Sequence, residues 1–225
     1  MSRYERNFPT FSREDFDSIQ KASVCVVGCG GLGGYIIEML ARVGIGSLTL
    51  IDGDSFEVSN QNRQILSTEE NLGTPKAEAA AARVRLINKN VKTSFHHAFL
   101  TAENGSVLLG DSDLVMDALD NIPARLLIQA LCREKNIPLI HGAIGGWSAQ
   151  VTTVFPDDDT LTRLFSAEKG YDSKVLGNPS FTPALTASIQ VSEALKVITG
   201  KNEELLRNKL LYIDLFSNEF FTLDI

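Results

Sequence analysis

Cysteine is scarce in this chain: three residues in 225, Cys25, Cys29 and Cys132, with no C-x-x-C pair among them. A four-thiolate structural zinc therefore lacks its ligands, so no zinc is expected. Three thiols in apolar surroundings are expected to be reduced and mostly buried rather than bridged. Long apolar runs are missing too. None approaches the ~20 residues of a membrane span. The start Met1-Ser2-Arg3-Tyr4-Glu5-Arg6-Asn7 has no apolar stretch of the kind a secretory leader carries. The cytoplasm is the expected address, with no membrane partner. Positive charge is also short: the net charge is −7 and the pI near 5.0. Lys and Arg form no stripe, which argues against broad nucleic-acid binding. Internal repeats and low-complexity linkers are absent. With 44% apolar residues, residues 1–225 suit one large domain with a substantial core. Residues 1–22 are expected to form an N-terminal arm and helix.

What is present begins with Val24-Cys25-Val26-Val27-Gly28-Cys29-Gly30-Gly31-Leu32-Gly33-Gly34. It reads as a buried strand breaking into a glycine loop and then a helix. Such a loop lets backbone approach a phosphate closely, while the helix opening near Gly31 aims free N–H groups at the anion. Glycines between a strand and a helix can also serve tight packing alone, so the pattern by itself is weak. The next strand, Ser47 to Ile51, ends at Asp52, about 20 residues beyond the glycines, where a ribose contact is expected. A nucleotide site follows, but NAD, FAD and ATP satisfy it equally, and the reaction must be read elsewhere.

The remaining elements alternate. A helix is expected over Lys76 to Leu86, strands over Thr93 to His97 and Asp113 to Ala118, a helix over Ala124 to Lys135 and a strand over Pro138 to His141. Asn121 caps the helix after it, with Pro123 in its first turn. This βα alternation predicts a Rossmann-like, doubly wound α/β fold with a mostly parallel sheet. A strand Gln150 to Phe155, a helix Pro183 to Thr199, and strands Leu210 to Leu215 and Phe220 to Leu223 turning at Ser217-Asn218 predict an antiparallel C-terminal extension. Pro156 to Pro183, rich in acids, glycine and proline, reads as a long surface loop.

Between the second strand and Lys76 lies a polar segment that hydride transfer does not need. Asn60, Arg63 and Lys76 bring amide, guanidinium and ammonium groups beside the phosphate site, the set that stabilises charge on a pentavalent phosphorus. Asp120, at the end of a further strand on the same sheet edge, is suited to Mg²⁺. Singly, Arg63 and Lys76 also read as solvated surface charge and Asp120 as a capping acid. Together they point to phosphoryl chemistry.

Arg3-Tyr4-x-Arg6-Asn7, Gly28-x-Gly30-Gly31-x-Gly33, Asp52-x-Asp54, Asn60-x-x-Arg63-Gln64, Pro75-Lys76 and Asp120-Asn121 jointly resemble the ThiF/MoeB/HesA family, relatives of the ubiquitin-activating enzymes, over nearly the whole chain. The resemblance implies adenylation, by ATP and Mg²⁺, of the C-terminal Gly-Gly carboxylate of a ubiquitin-like sulfur-carrier protein of the thiamine or molybdopterin type, with release of pyrophosphate. It implies that Gly28, Gly30, Gly31 and Gly33 pack on the phosphates and that Asp52 holds the ribose. Asn60, Arg63 and Lys76 would act on the triphosphate, with Asp54, Gln64 and Asn121 in the same nucleotide site. Asp120 would organise Mg²⁺ and the attacking carboxylate. The family's match to Arg6 reaches across a homodimer into the partner's site, so Arg6 is the candidate for charge supplied in trans. An unordered basic residue near the N-terminus is the alternative.

The chain departs from the family in one respect. Many members carry two C-x-x-C pairs after the position of Phe155, and some a reactive cysteine there; Asp157 to Pro183 contains no cysteine. The expectation is an enzyme that stops at the acyl-adenylate and leaves sulfur transfer to a separate donor. His141 reads either as a base or as a packing or capping residue; His96 and His97 read as structural. Asp157 to Asn178, with Gly170-Tyr171, is either a strap over the carrier's tail or a surface connection. Leu215, Phe216, Phe220 and Phe221 are either a docking face or core. Rival readings are a branch acting on a tRNA-bound or small-molecule carboxylate, a nucleotide-binding scaffold without turnover, and an NAD-dependent dehydrogenase.

Overall fold

The first strand, β1 (Ser23–Val27), shows how the sheet is built. Val24 and Val26 join one hydrophobic cluster and Cys25 and Val27 another, as a strand buried on both faces requires. In the computed structural model, which describes residues 3–166 and 176–225, the further strands are β2 (Ser47–Ile51), β3 (Lys92–His96), β4 (Leu114–Asp117), β5 (Leu139–Gly145), β6 (Ser148–Val154), β7 (Lys209–Asp214) and β8 (Glu219–Asp224). They form one sheet in the order β3-β2-β1-β4-β5-β6-β7-β8. The strands β3, β2, β1, β4 and β5 run parallel, and β6, β7 and β8 continue antiparallel. The expected doubly wound, mostly parallel α/β sheet with antiparallel C-terminal strands is what the chain forms.

Helices cover both faces. On one side lie α1 (Arg13–Lys21), α2 (Gly31–Val43) and α3 (Lys76–Ile87), joined by a long C-terminal helix, Phe181–Ile198. They bring Ile19, Ile36, Leu40, Ala80, Val84 and Val191 onto Val24 and Val26. On the other lie α4 (Gly105–Leu109), α5 (Ile122–Lys135) and α6 (Thr160–Ser166), packing Leu109, Ile128, Leu131 and Leu161 on Cys25 and Val27. The long helix Phe181–Ile198 is α7 below.

The structure corrects several boundaries. The strand expected to stop at His141 runs on to Gly145 and turns at Gly146-Trp147 into β6. The segment Pro156 to Pro183 is not a surface loop throughout: α6 forms within it and buries Leu161 and Phe165. A helix this short carries too few apolar repeats to announce itself; it is held instead by the Leu161 N–H donating to Gln129 Oε1 of α5 at 2.7 Å. The short helix α4 was also not anticipated. Gly170 and Tyr171 lie outside the described residues, so the strap expected there is not reached. The α5 helix starts with Asn121 as its cap, Oδ1 accepting from the Ala124 N–H at 2.9 Å.

The C-terminal hairpin resolves the alternatives for its aromatics. Every residue of β8 is exposed, Phe220 and Phe221 among them, and Phe216 is 76% exposed. No helix among the described residues is long and apolar enough to cross a membrane.

Candidate active site

At β1 the chain stops building toward β2 and β3 and begins on β4 and β5, which opens a crevice at the C-terminal edge of the sheet, where α/β proteins bind ligands. The glycine loop sits there. Gly28 has φ +98°, and a Cβ on it would lie 2.5 Å from the Ala118 carbonyl oxygen. A Cβ on Gly33 would lie 1.8 Å from the Gly28 carbonyl oxygen, far inside van der Waals contact. The loop is thus pressed between the end of β4 and the first turn of α2. Gly30 faces Gln64 and Gly31 faces Arg63 and Pro183, which brings the loop, the polar segment and α7 into one place.

Asp52 holds the loop. Its Oδ2 accepts from the Cys29 N–H at 2.7 Å and its Oδ1 from the Asp54 N–H at 2.8 Å. Burial pushes the Asp52 carboxyl above its ordinary range against the pull of those two N–H groups. Each oxygen keeps a further acceptor direction for a ribose hydroxyl.

Beside Asp52 is a cleft of about 180 Å³ lined by Asp54, Ser55, Glu57, Asn60 and Lys76. The Lys76 ammonium, 8% exposed, pairs with Asp54 Oδ2 at 3.0 Å. It is held at the cleft by one half-exposed carboxylate, a partner that a polyphosphate can displace. Asn60 is buried, its Oδ1 accepting from the Glu57 N–H at 3.1 Å. Arg63 Nη1 donates to the Ser59 carbonyl and to Asn62 Oδ1, both at 2.9 Å. Gln64 is buried with Oε1 unpartnered. Six of the residues singled out in sequence, Asp52, Asp54, Asn60, Arg63, Gln64 and Lys76, therefore surround the glycine loop.

Asp120 follows β4 at the same edge, exposed, with Oδ1 accepting from Asn121 Nδ2 at 3.2 Å. Arg6 lies elsewhere. Its neighbour Asn7 donates to the Val43 carbonyl at the C-terminal end of α2, and Tyr4 packs on Gly44. The glycine loop is at the other end of that helix, ~20 Å away for its 13 residues. An arginine side chain cannot span that distance, so Arg6 cannot serve its own chain's loop.

His141 is fully buried, with Nδ1 donating to Asp117 Oδ2 at 2.6 Å. Burial pushes its pKa below the ordinary imidazole value, against the raising effect of Asp117. It is a packed, neutral residue with no access to a substrate. His97 Nε2 donates to the Gly53 carbonyl at 2.9 Å, the structural role expected of it. Sequence reading missed Asp117, and it missed Phe99. Phe99 is 66% exposed yet lies flat on Gly53, where a Cβ would meet its ring at 2.6 Å. An exposed ring beside Asp52 is placed to stack on a base.

All three cysteines are buried. Burial raises the Cys25 and Cys29 thiols well above their ordinary range and pushes Cys132 up to about 12. Thiolate, the reactive form, is scarce at each. Native protein should therefore resist iodoacetamide, with all three thiols labelling only after unfolding in guanidinium; rapid labelling of any of them in the native state overturns this.

A glycine phosphate loop, a strand-end carboxylate and a cluster of Lys, Arg and Asn at one sheet edge define a nucleotide-binding α/β protein. The chain belongs to the ThiF family, whose model matches residues 3–225. It is 37% identical over 228 residues to the SAMP-activating enzyme E1 of Haloferax volcanii, covering 99% of this chain and 84% of that one. It is 33% identical over 230 residues to the sulfur carrier protein adenylyltransferase of Thermus thermophilus, covering 94% and 83%. Among solved structures, E. coli MccB matches with a TM-score of 0.86 at 21% identity, covering 99% of this chain and 69% of MccB, and confirms the fold.

Proposed function

We propose that this protein uses ATP to adenylate the C-terminal Gly-Gly carboxylate of a ubiquitin-like sulfur-carrier protein, acting as one adenylation domain. The observation that carries the reading is the clustering of Lys76, Arg63 and Asn60 around the glycine loop and Asp52, with all three thiols buried. A carboxylate is already a nucleophile at neutral pH. Its oxygen attacks the α-phosphorus, the bond to the bridging oxygen breaks, and pyrophosphate leaves with the electron pair. No proton has to move, so catalysis reduces to alignment and charge neutralisation. The names of the relatives from Haloferax and Thermus support a carrier substrate, and an E. coli MccB structure with ATP supports the nucleotide.

The residues present fit Mg²⁺. Asp120 is an exposed carboxylate with only a neutral amide on it, and no group of three His, Cys, Asp or Glu among the described residues forms a cage. Mg²⁺ is commonly held by one carboxylate together with substrate phosphates. Bound there, it would neutralise charge on the phosphates. Lys76 turns from Asp54 to the phosphates, Arg63 reaches the same oxygens, and Asp52 fixes the ribose. The exposed Trp147, in ring contact with Phe181 on one side and Phe216 on another, and the open strand β8 offer an apolar surface for the carrier near the site.

Carrier-dependent ATP–pyrophosphate exchange tests the reading. Carriers ending in Gly-Gly should support exchange, and versions lacking the last glycine should not. Tight ATP binding with no exchange for any carrier overturns it in favour of a scaffold or another acceptor. Arg6 is assigned to the partner's site in a homodimer. Arg6→Ala and Asp120→Ala subunits, each inactive alone, should regain about a quarter of wild-type exchange when mixed, because half the dimers then hold one intact site. Absence of recovery in mixed dimers overturns the assignment of Arg6 to the partner's site, and full activity of Arg6→Ala alone removes it from the reaction.

A further inference from the structure

Beneath the exposed Asp120 lies a buried polar cluster that the adenylation chemistry does not use. Asp117 and His141 are completely buried and Arg125 is 9% exposed. They come from the end of β4, from β5 and from the first turn of α5, and the sheet register pairs Asp117 with His141 directly. Asp117 Oδ1 accepts from the Leu119 N–H at 2.9 Å. Arg125 Nη2 donates to the Leu119 carbonyl at 2.8 Å. Both polar groups of one residue, the residue immediately before Asp120, are thus held by charged side chains from opposite sides.

The other members of the cluster hold the holders. His141 occupies Asp117 Oδ2 through Nδ1, and its Nε2 faces the Gln150 amide at 3.5 Å, an arrangement the neutral ring with its proton on Nδ1 satisfies. Gln190 of α7 donates to the Asp117 carbonyl at 2.8 Å. The Phe165 ring of α6 covers His141 edge-on, with centroids 5.7 Å apart, and the Arg125 guanidinium lies 5.8 Å from its centre. One residue earlier, the Ala118 N–H donates to the Val27 carbonyl at 2.9 Å, and Gly28 presses on Ala118. The loop carrying Asp120 is therefore fixed to the phosphate loop on one side and to this cluster on the other.

A merely structural role explains the cluster poorly. Arg125 Nε is buried without a hydrogen-bond partner, and Arg125 makes no ion pair among the described residues. Burying a guanidinium this way is costly, and an apolar residue of similar size fills such a space at least as well. A charged donor gains over an apolar one in direction: a short, charge-assisted bond fixes a carbonyl in place.

We infer that Asp117, His141 and Arg125 form a clamp on the Leu119 peptide that positions the Asp120 carboxylate, so that all three are positioning residues for the adenylation step. This rests on the proposed role of Asp120, and the experiment separates the two. Arg125→Met keeps apolar bulk against Phe165 and removes the bond to Leu119. In ATP–pyrophosphate exchange it should lower kcat at least tenfold and raise the Mg²⁺ concentration for half-maximal rate severalfold, with metal-free ATP affinity within twofold of wild type. Arg125→Lys, which can still donate to the carbonyl, should recover much of the loss. In an Asp120→Ala background, Arg125→Met should cost less than twofold, because its effect runs through the missing carboxylate. An equal loss in both backgrounds overturns the clamp while leaving the adenylation reading intact. Absence of exchange in wild type refutes the adenylation reading instead. The clamp is then judged by amide hydrogen exchange at residues 118–121, which Arg125→Met should speed at least tenfold; unchanged exchange overturns it.

Discussion

Asp120→Ala and Arg63→Ala should each lower carrier-dependent adenylation by at least about a hundredfold, the scale at which a lost group for transition-state charge is felt, ~2.7 kcal/mol. Neither side chain carries the fold. Asp120 is exposed and, among the described residues, bonds only to the neighbouring Asn121 amide. Arg63 donates to the Ser59 carbonyl and to Asn62, groups of its own turn. Melting temperatures should therefore stay within a few degrees of wild type while the rate collapses. The two losses should also differ in kind. Arg63→Ala removes a cation that meets the triphosphate in the ground state as well, so the KM for ATP should rise along with the fall in kcat. Asp120→Ala should act mainly on kcat and on the Mg²⁺ dependence. Exchange at the wild-type rate in either variant removes that residue from the reaction. NAD-dependent hydride transfer would be indifferent to both.

Gly33→Ala should abolish nucleotide binding, a loss of more than about a hundredfold in ATP affinity. The methyl group has no room: its carbon would stand 1.8 Å from the Gly28 carbonyl oxygen, a backbone atom that no rotamer change moves away. Relief requires α2 to withdraw from the loop, and both ends of the loop are held. The Gly28 N–H donates to the Ile51 carbonyl at 2.8 Å and the Cys29 N–H to Asp52 at 2.7 Å. Overpacking of this sort costs about 1–3 kcal/mol where side chains can yield, and here the obstacle is main chain. The check is ATP titration by calorimetry alongside thermal unfolding. Gly73→Ala serves as a control, because no atom lies within 4 Å of its added Cβ, although its φ of +81° will cost some stability. It should bind ATP normally. Full affinity in Gly33→Ala would mean that the loop does not hold phosphate in the observed conformation.

Much of the site was legible because its signals are local. An apolar strand that ends in glycines, a second that ends at Asp52, and a third followed by Asp120-Asn121-Ile122-Pro123 each mark a strand end within a few residues of chain. In a parallel sheet all those ends lie on one edge, so reading them placed the site without knowing which strands are neighbours. The helix α6 was hidden for the opposite reason: its stability comes from Leu161 and Phe165 entering a cluster supplied by α5, and seven residues cannot show that partnership themselves.

Local sequence was enough for the fold class and for the glycine loop with Asp52, because backbone geometry and strand period are properties of adjacent residues. Three other matters depend on distant parts of the chain meeting in the fold. It set Arg6 at the far end of α2 from its own glycine loop, through Tyr4 on Gly44 and Asn7 on Val43. It left Phe216, Phe220 and Phe221 on the surface, because β8 is the last strand of the sheet and every one of its residues is exposed. And it joined Asp117 to His141 and Arg125 beneath the loop that carries Asp120. That meeting depends on the register of β4 against β5, which is fixed by packing across the whole sheet; a slip of one residue would turn Asp117 and His141 to opposite faces.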